Sequence, residues 1–153
     1  MPVHSILSLA ALLAEPDPAV FNGRLQQLAV SIPRLEAQIV VDGVLDEAPW
    51  KEAAILTGFS EYAPADGHPA DDSTEVLAWY SPNAIYFAVR AFTLDAPRAT
   101  LADRDRILTD DYVEILLGTF NDRRQADVFG VNPLGVQLDG TVIEGVRASD
   151  NGL

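Results

Sequence analysis

Apolar and polar positions alternate with a period of two in several short segments, which is the pattern of β-strands. Residues 74–80 (TEVLAWY) and 84–92 (AIYFAVRAF) are rich in aromatic and β-branched side chains, and the Ser-Pro-Asn between them is a turn sequence. They predict a β-hairpin. In the second strand both faces are largely apolar and Arg90 is the one charged residue, which predicts a central strand that lines a binding surface.

The same alternation continues after residue 110. Tyr112 and Glu114 share one face of a predicted strand over residues 112–117, and Asn132 ends another over residues 128–132. An Asn-Asp-Arg-Arg loop joins the two strands. A Pro-Leu-Gly turn then leads into predicted strands at 136–138 and 141–146.

The first half of the chain mixes strand and helix signals. The β-branched residues 39–41 predict a strand that ends in an Asp42-Gly43 turn. A helix of one to two turns follows, with Asp46 as its N-cap, Pro49 in its first turn and Trp50 facing the core. The charged stretch 97–107 is a further candidate helix.

Short strands with helices confined to the N-terminal region and the connections predict an all-β fold, either a sandwich or a barrel. The length of 153 residues is that of one domain, which we place at residues 28–153. Residues 1–27 contain an apolar run at 6–14, the core of a signal peptide or a short amphipathic helix, followed by a linker. Because only seven or eight strands precede the end of the sequence, we expect an incomplete sandwich whose edges form a homodimer or pair with further C-terminal sequence.

Composition narrows the function. Ten basic against 23 acidic residues give a formal net charge of -13, which repels phosphate backbones and argues against a nucleic-acid partner. There is no cysteine, so disulfides and thiolate metal sites are not expected. His4 lies at the N-terminus and His68 in a stretch rich in Pro, Gly and Asp, so histidine-based catalysis is not expected either. Many carboxylates sit at turns or beside arginine, where they stay ionised. We therefore expect no catalytic residue in this domain.

Two strings resemble one family. VVDGVLDEAPW (residues 40–50) is similar to the opening of carbohydrate-binding module family 9 domains, and residues 110–140 (DDYVEILLGTFNDRRQADVFGVNPLGVQLDG) are similar to a later block of that family. With the hairpin, the resemblance covers about residues 39–139 in the expected order. It is strongest to the version found at the N-terminus of larger secreted or outer-membrane bacterial proteins.

The resemblance implies a jelly-roll-like antiparallel β-sandwich, outside the cytoplasm, that binds an oligosaccharide or polysaccharide and in some members holds structural Ca²⁺. It implies sugar-binding roles for Glu114 and Asn132. At two other positions the family's pattern is broken, because Leu108 stands where a binding tryptophan is expected and Gly130 where an arginine is expected.

Residue chemistry adds three candidates to this site. Sugars stack on aromatic rings and exchange hydrogen bonds with carboxylates, amides and cations. Tyr86 and Arg90 on one strand and Tyr112 on another supply the aromatic and cationic partners beside Glu114 and Asn132. The structural alternative is that Glu114 and Arg90 form a cross-strand ion pair while Tyr112 packs.

Three hypotheses follow. The first is a non-catalytic carbohydrate-binding domain of a larger protein involved in carbohydrate catabolism or of an outer-membrane protein. The second is a structural or docking domain that has lost sugar binding. The third is an N-terminal fragment of a glycosyl hydrolase-associated protein. A Ca²⁺ ion is one expectation for the turn carboxylates, although no EF-hand spacing is present. These carboxylates are Asp42, Asp46, Glu47, Asp110, Asp111, Asp122, Asp127 and Asp139.

Overall fold

A computed structural model describes residues 18–61, 66–122, 124–143 and 146–149. Strands dominate it, and the predicted all-β class is confirmed. The chain divides into two compact units, one ending at Ala91 and one beginning at Phe92. The packing of a β-sandwich stays a prediction.

The first unit contains a four-stranded sheet with the order β1-β2-β5-β6. Strand β1 runs parallel to β2, and the other neighbours are antiparallel. Strands β3 and β4 form a separate short pair. The elements in chain order are β1 Val20–Asn22, a 3-10 turn Gly23–Leu25, α1 Pro49–Glu52, β2 Ala54–Thr57, β3 Ser60–Glu61, β4 His68–Pro69, β5 Thr74–Tyr80 and β6 Ile85–Ala91.

Strand β1 lies before residue 28, where the sequence placed the start of the folded domain. Val20 pairs with Ile55, and the Ile55 N–H donates to the carbonyl of Ala19 at 2.8 Å. Folded structure therefore begins upstream of the predicted boundary. The apolar run at 6–14 lies outside the described residues. Within those residues, no helix is long and apolar enough to cross a membrane.

The predicted hairpin is confirmed as β5 and β6. Seven consecutive pairs join the strands, from Thr74 opposite Ala91 to Tyr80 opposite Ile85. The prediction of a central position for β6 is wrong, because β6 is the last strand in its sheet among the residues that the structure describes. Apolar side chains on a strand indicate that the two faces of the sheet are buried. A central position depends instead on backbone pairing at both edges of the strand, which the side chains do not indicate.

The core of the first unit forms on one face of this hairpin. Trp50, Leu77, Trp79 and Ala88 are buried together with Ala53. Leu35, Ala37, Ile39, Leu45, Ile55 and Tyr86 pack around them. Trp50 faces the core as predicted.

The short helix begins differently from the prediction. Its N-cap is Ala48, which provides no side-chain bond, and Pro49 occupies the first helical position. Proline starts a helix without a cap because it has no N–H that needs an acceptor. The carboxylate that bonds here belongs to Glu47, which accepts from Trp50 Nε1 at 3.1 Å and from the Val40 N–H at 3.2 Å. Asp46 as the N-cap was wrong.

Residues 39–41 belong to no strand, contrary to the prediction. Val40 and Val41 are 70% and 88% exposed. The turn after them is present, since Gly43 has a φ of 85° and the Val44 N–H donates to Asp42 Oδ1 at 2.9 Å. β-branched side chains favour an extended backbone, but they do not supply the neighbouring strand that a sheet requires.

The second unit contains an antiparallel sheet with the order β10-β9-β8-β7. Its strands are β7 Val113–Leu117, β8 Gln125–Val131, β9 Gln137–Ile143 and β10 Val146–Ser149. Ile107, Val128 and Leu138 form its buried core. Strand β9 is continuous where the sequence predicted two short strands.

Residues 97–107 form no helix. The stretch instead bonds to β9, because the Asp105 N–H donates to the carbonyl of Gln137 at 2.9 Å and Asp105 Oδ1 accepts from the Asp139 N–H at 3.0 Å. Its charge pattern suited a helix surface, but tertiary hydrogen bonds to a strand outweigh the weak preference of an isolated short helix.

Candidate functional site

The five predicted site residues lie in different units. Tyr86 and Arg90 are on the same face of β6 in the first unit. Tyr112, Glu114 and Asn132 are in the second unit.

The ring of Tyr86 packs against the core. It lies opposite Trp79 across the hairpin, with ring centroids 4.1 Å apart and planes inclined by 18°. Trp79 in turn meets Trp50 edge to face at 6.0 Å. Because Trp79 takes one face of the Tyr86 ring, that face is closed to a sugar, and the stacking stabilises the hairpin.

Arg90 is paired across the same hairpin. Its Nη1 lies 3.6 Å from Glu75 Oε2, and both side chains are exposed. The sequence alternative paired Arg90 with Glu114, whereas its partner here is Glu75 on β5. An exposed pair of this kind adds little stability, so its guanidinium is available for other contacts.

Glu114 lies on the side of β7 that faces the second core. It sits opposite Gly130 in the register and is half-buried, and Tyr112 precedes the strand as an exposed side chain. A Cβ added at Gly130 would lie 3.4 Å from both Cβ and Cδ2 of Leu138. A long side chain at residue 130, such as the arginine that the resemblance implies, would therefore meet Leu138 directly.

Asn132 is only 3% exposed, and its amide makes four hydrogen bonds inside the protein. Nδ2 donates to the Thr100 carbonyl and to Asp110 Oδ2, both at 2.9 Å. Oδ1 accepts from the N–H groups of Leu134 at 3.0 Å and Val136 at 2.9 Å. The amide holds the turn after β8 and ties it to the segment before β7. Both donor hydrogens and both lone pairs of the amide are therefore bonded within the protein, which leaves none for a ligand.

Asp110 accepts hydrogen bonds from both Thr100 and Asn132. The backbone N–H of Thr100 donates to its carboxylate at 3.0 Å, and Asn132 and the Thr100 hydroxyl add further bonds. The Thr100 backbone bond first, then the Asn132 bond, hold the pKa of Asp110 below its usual value of 3.8. Asp110 is thus a charged acceptor that fastens Thr100 to the segment before β7.

The lowered pKa of Asp110 predicts that its contribution to stability is sensitive to acid. Because the folded pKa of Asp110 is depressed, its stabilising contribution is fully present above the unfolded pKa and is lost as the pH falls through the folded pKa. We expect the unfolding free energy of Asp110→Asn to depend less on pH below about pH 4 than that of the wild type. Urea unfolding at a series of acidic pH values measures it. Asp103→Asn, at an exposed carboxylate of the same loop, is the control, and equal slopes for all three proteins would contradict the assignment.

The opposite side of the second sheet carries a surface that sequence reasoning missed. Phe129 is 51% exposed on β8, and Asp139 lies directly opposite it on β9. Val131 and Gln137 form the next pair along the same two strands. We call this surface, with Arg104, the Phe129 face. The alternation of 128–132 indicated two faces of β8, but no sequence feature indicated which one is exposed.

Arg104 orders the polar part of the Phe129 face. Its Nε donates to Asp139 Oδ1 at 2.6 Å, its Nη2 contacts the same oxygen, and its Nη1 donates to Gln137 Oε1 at 3.2 Å. Arg104 is in turn positioned by Asp105, whose backbone bonds to β9. A cation, a carboxylate and an amide are therefore held in fixed relation beside an exposed ring.

Comparison with family models, with characterised proteins and with solved structures finds no match to this chain. The resemblance to carbohydrate-binding module family 9 therefore stays a prediction.

Among the residues that the structure describes, no group of three or more His, Asp or Glu side chains is arranged to hold an ion. Asp105, Asp110, Asp111 and Asp139 all accept protein hydrogen bonds, and Ca²⁺ stays an expectation from the sequence.

Proposed function

We propose that this chain is a non-catalytic carbohydrate-binding domain of a larger extracytoplasmic protein, and that it binds sugar on the Phe129 face. The observation that carries the proposal is an exposed aromatic ring flanked by Asp139, Gln137 and Arg104 on one strand surface. The two sequence strings support the same class of function.

The chemistry of this surface suits a sugar ring. The C–H face of a pyranose packs on a phenyl ring, and its neighbouring hydroxyls both donate to a carboxylate and accept from a guanidinium. Because Arg104 bonds both Asp139 and Gln137, these groups need little ordering on binding. The net charge of -13 favours a neutral sugar over a polyanionic one.

Retention in affinity gels that contain neutral polysaccharides tests the proposal. We expect Phe129→Ala to weaken retention about fivefold, since a ring contact contributes on the order of 1 kcal/mol. Phe120→Ala is the matched control, because Phe120 is 69% exposed but lies in the turn after β7 rather than on β8 or β9. Gels with and without Ca²⁺ test the metal expectation.

Two results would contradict this placement. No retention on any polysaccharide would contradict sugar binding itself. Loss of retention in Glu114→Ala but not in Phe129→Ala would favour the side of the sheet that the sequence predicted, because Glu114 and Phe129 lie on opposite sides.

A docking domain that has lost sugar binding is the second candidate. It is favoured by the full use of the Asn132 amide and by Leu138 beside Gly130, both at positions where the resemblance implies sugar contacts. Under this alternative the wild-type protein is not retained on any polysaccharide, and Glu114→Ala and Phe129→Ala behave as the wild type does.

A further inference from the structure

Among the residues that the structure describes, the edge of β6 has none of the usual protection against strand pairing. It is seven residues long, contains no proline, and pairs one to one with β5, without a bulge. Its one charged residue, Arg90, is directed to Glu75. Natural edge strands usually carry lysine, proline or a bulge that prevents another strand from adding.

A groove of about 250 Å³ runs along this edge. Both Ala88 and Val89 line it, and they lie on opposite faces of the strand. The groove is therefore open to the edge of the sheet rather than to one face. This is where the backbone of an added strand would lie.

The opposite wall of the groove is formed by residues 39–45. It includes Val40, Val41 and Val44, which are exposed apolar side chains outside any strand. Two segments with high β-propensity thus line one groove without pairing with each other. An extended apolar segment between them would bury side chains against both walls.

Charge indicates which segment fits. Among the residues that line the groove, Asp42 has the one charged side chain. The chain as a whole has a formal net charge of -13. A second copy of the chain would bring the same negative charge, which disfavours self-association through this edge. A basic residue on the incoming segment would complement Asp42.

We propose that the groove between β6 and residues 39–45 binds an extended, alternately apolar segment of another polypeptide that carries a lysine or arginine near Asp42. The segment adds to the sheet as a strand beside β6. This proposal does not rest on sugar binding, because the Phe129 face is on a different sheet.

A phage-displayed library of random peptides tests the proposal with the whole chain as the target. We expect enrichment of alternating apolar sequences with one basic residue. An enriched peptide is then synthesised and titrated into ¹⁵N-labelled protein, where the amide shifts should change at residues 86–89 and 39–45. A matched peptide with proline at its centre should not bind, since proline cannot complete the backbone ladder.

Val41→Lys provides the variant arm. We expect it to weaken binding of the basic peptide about tenfold by placing a like charge in the wall of the groove. Val20→Lys is the matched control, because Val20 is 55% exposed on β1 at the other edge of the same sheet. Circular dichroism confirms that both variants are folded.

The proposal would be overturned if the library gave no enriched sequence, or if the peptide with central proline bound as tightly as the enriched peptide. It would also be overturned if the amide shifts changed outside the groove, or if Val41→Lys and Val20→Lys bound the peptide with equal affinity. Dimerisation through β6 in sedimentation equilibrium would also overturn it, in favour of a second copy of the chain as the occupant.

Discussion

Replacing Trp79 with alanine is expected to lower the free energy of unfolding of the first unit by about 4 kcal/mol. Trp79 is completely buried, stacks on Tyr86 and meets Trp50 edge to face. Its removal leaves a cavity that two rigid aromatic rings cannot fill. Since domains of this size are stable by only about 5–15 kcal/mol, the variant should lose a large fraction of its stability.

Urea denaturation followed by near-ultraviolet circular dichroism measures the loss. Tyr80→Ala is the control, because Tyr80 is the next residue on the same strand but points to the other face and is partly exposed. We expect that control to cost on the order of 1 kcal/mol. A Trp79→Ala cost no larger than that of Tyr80→Ala would show that the cluster is not the core of the unit.

Phenylalanine at the same position separates packing from hydrogen bonding. The indole N–H of Trp79 is buried and has no acceptor among the described residues, and a buried donor of this kind costs about 1–3 kcal/mol. Trp79→Phe removes that donor while keeping a ring against Tyr86. Its net cost should therefore be well below that of Trp79→Ala.

Replacing Asn132 with alanine is expected to destabilise the second unit by about 3 kcal/mol. The change leaves the N–H groups of Leu134 and Val136 and the carbonyl of Thr100 without the amide that bonds them. Chemical denaturation measures the loss. Asn83→Ala, in the exposed turn of the hairpin, is the control and should change stability by less than about 0.5 kcal/mol.

Asn132→Asp tests the contact with Asp110. Aspartate cannot donate when ionised, so it would place a second negative charge where the amide now donates to Asp110 at 2.9 Å. We expect a loss at neutral pH at least as large as that of Asn132→Ala. Protonation of the pair restores a donor, so the stability gap to the wild type should narrow below about pH 5. A gap that is constant with pH would contradict the contact.

The site could be predicted only in part. Alternation correctly assigned Tyr86 and Arg90 to one face of β6, but the stack of Tyr86 on Trp79 and the pairing of Arg90 with Glu75 depend on the register of the hairpin. Register follows from turn geometry and burial, which a single strand does not reveal. The resemblance implied a ligand role for Asn132, but a polar residue after a strand has the same sequence signature whether it binds a ligand or a turn.

The sequence by itself determined the all-β class, the β5–β6 hairpin, the turn at Asp42-Gly43 and the inward direction of Trp50. These depend on local preferences and on which side chains avoid water. Only the tertiary structure decided that β6 is an edge strand, that residues 39–41 stay unpaired, that Asn132 is bonded internally and that Phe129 is exposed beside Arg104. Each of those depends on backbone partners distant in sequence, and a side-chain pattern does not specify which strand or loop occupies the neighbouring position.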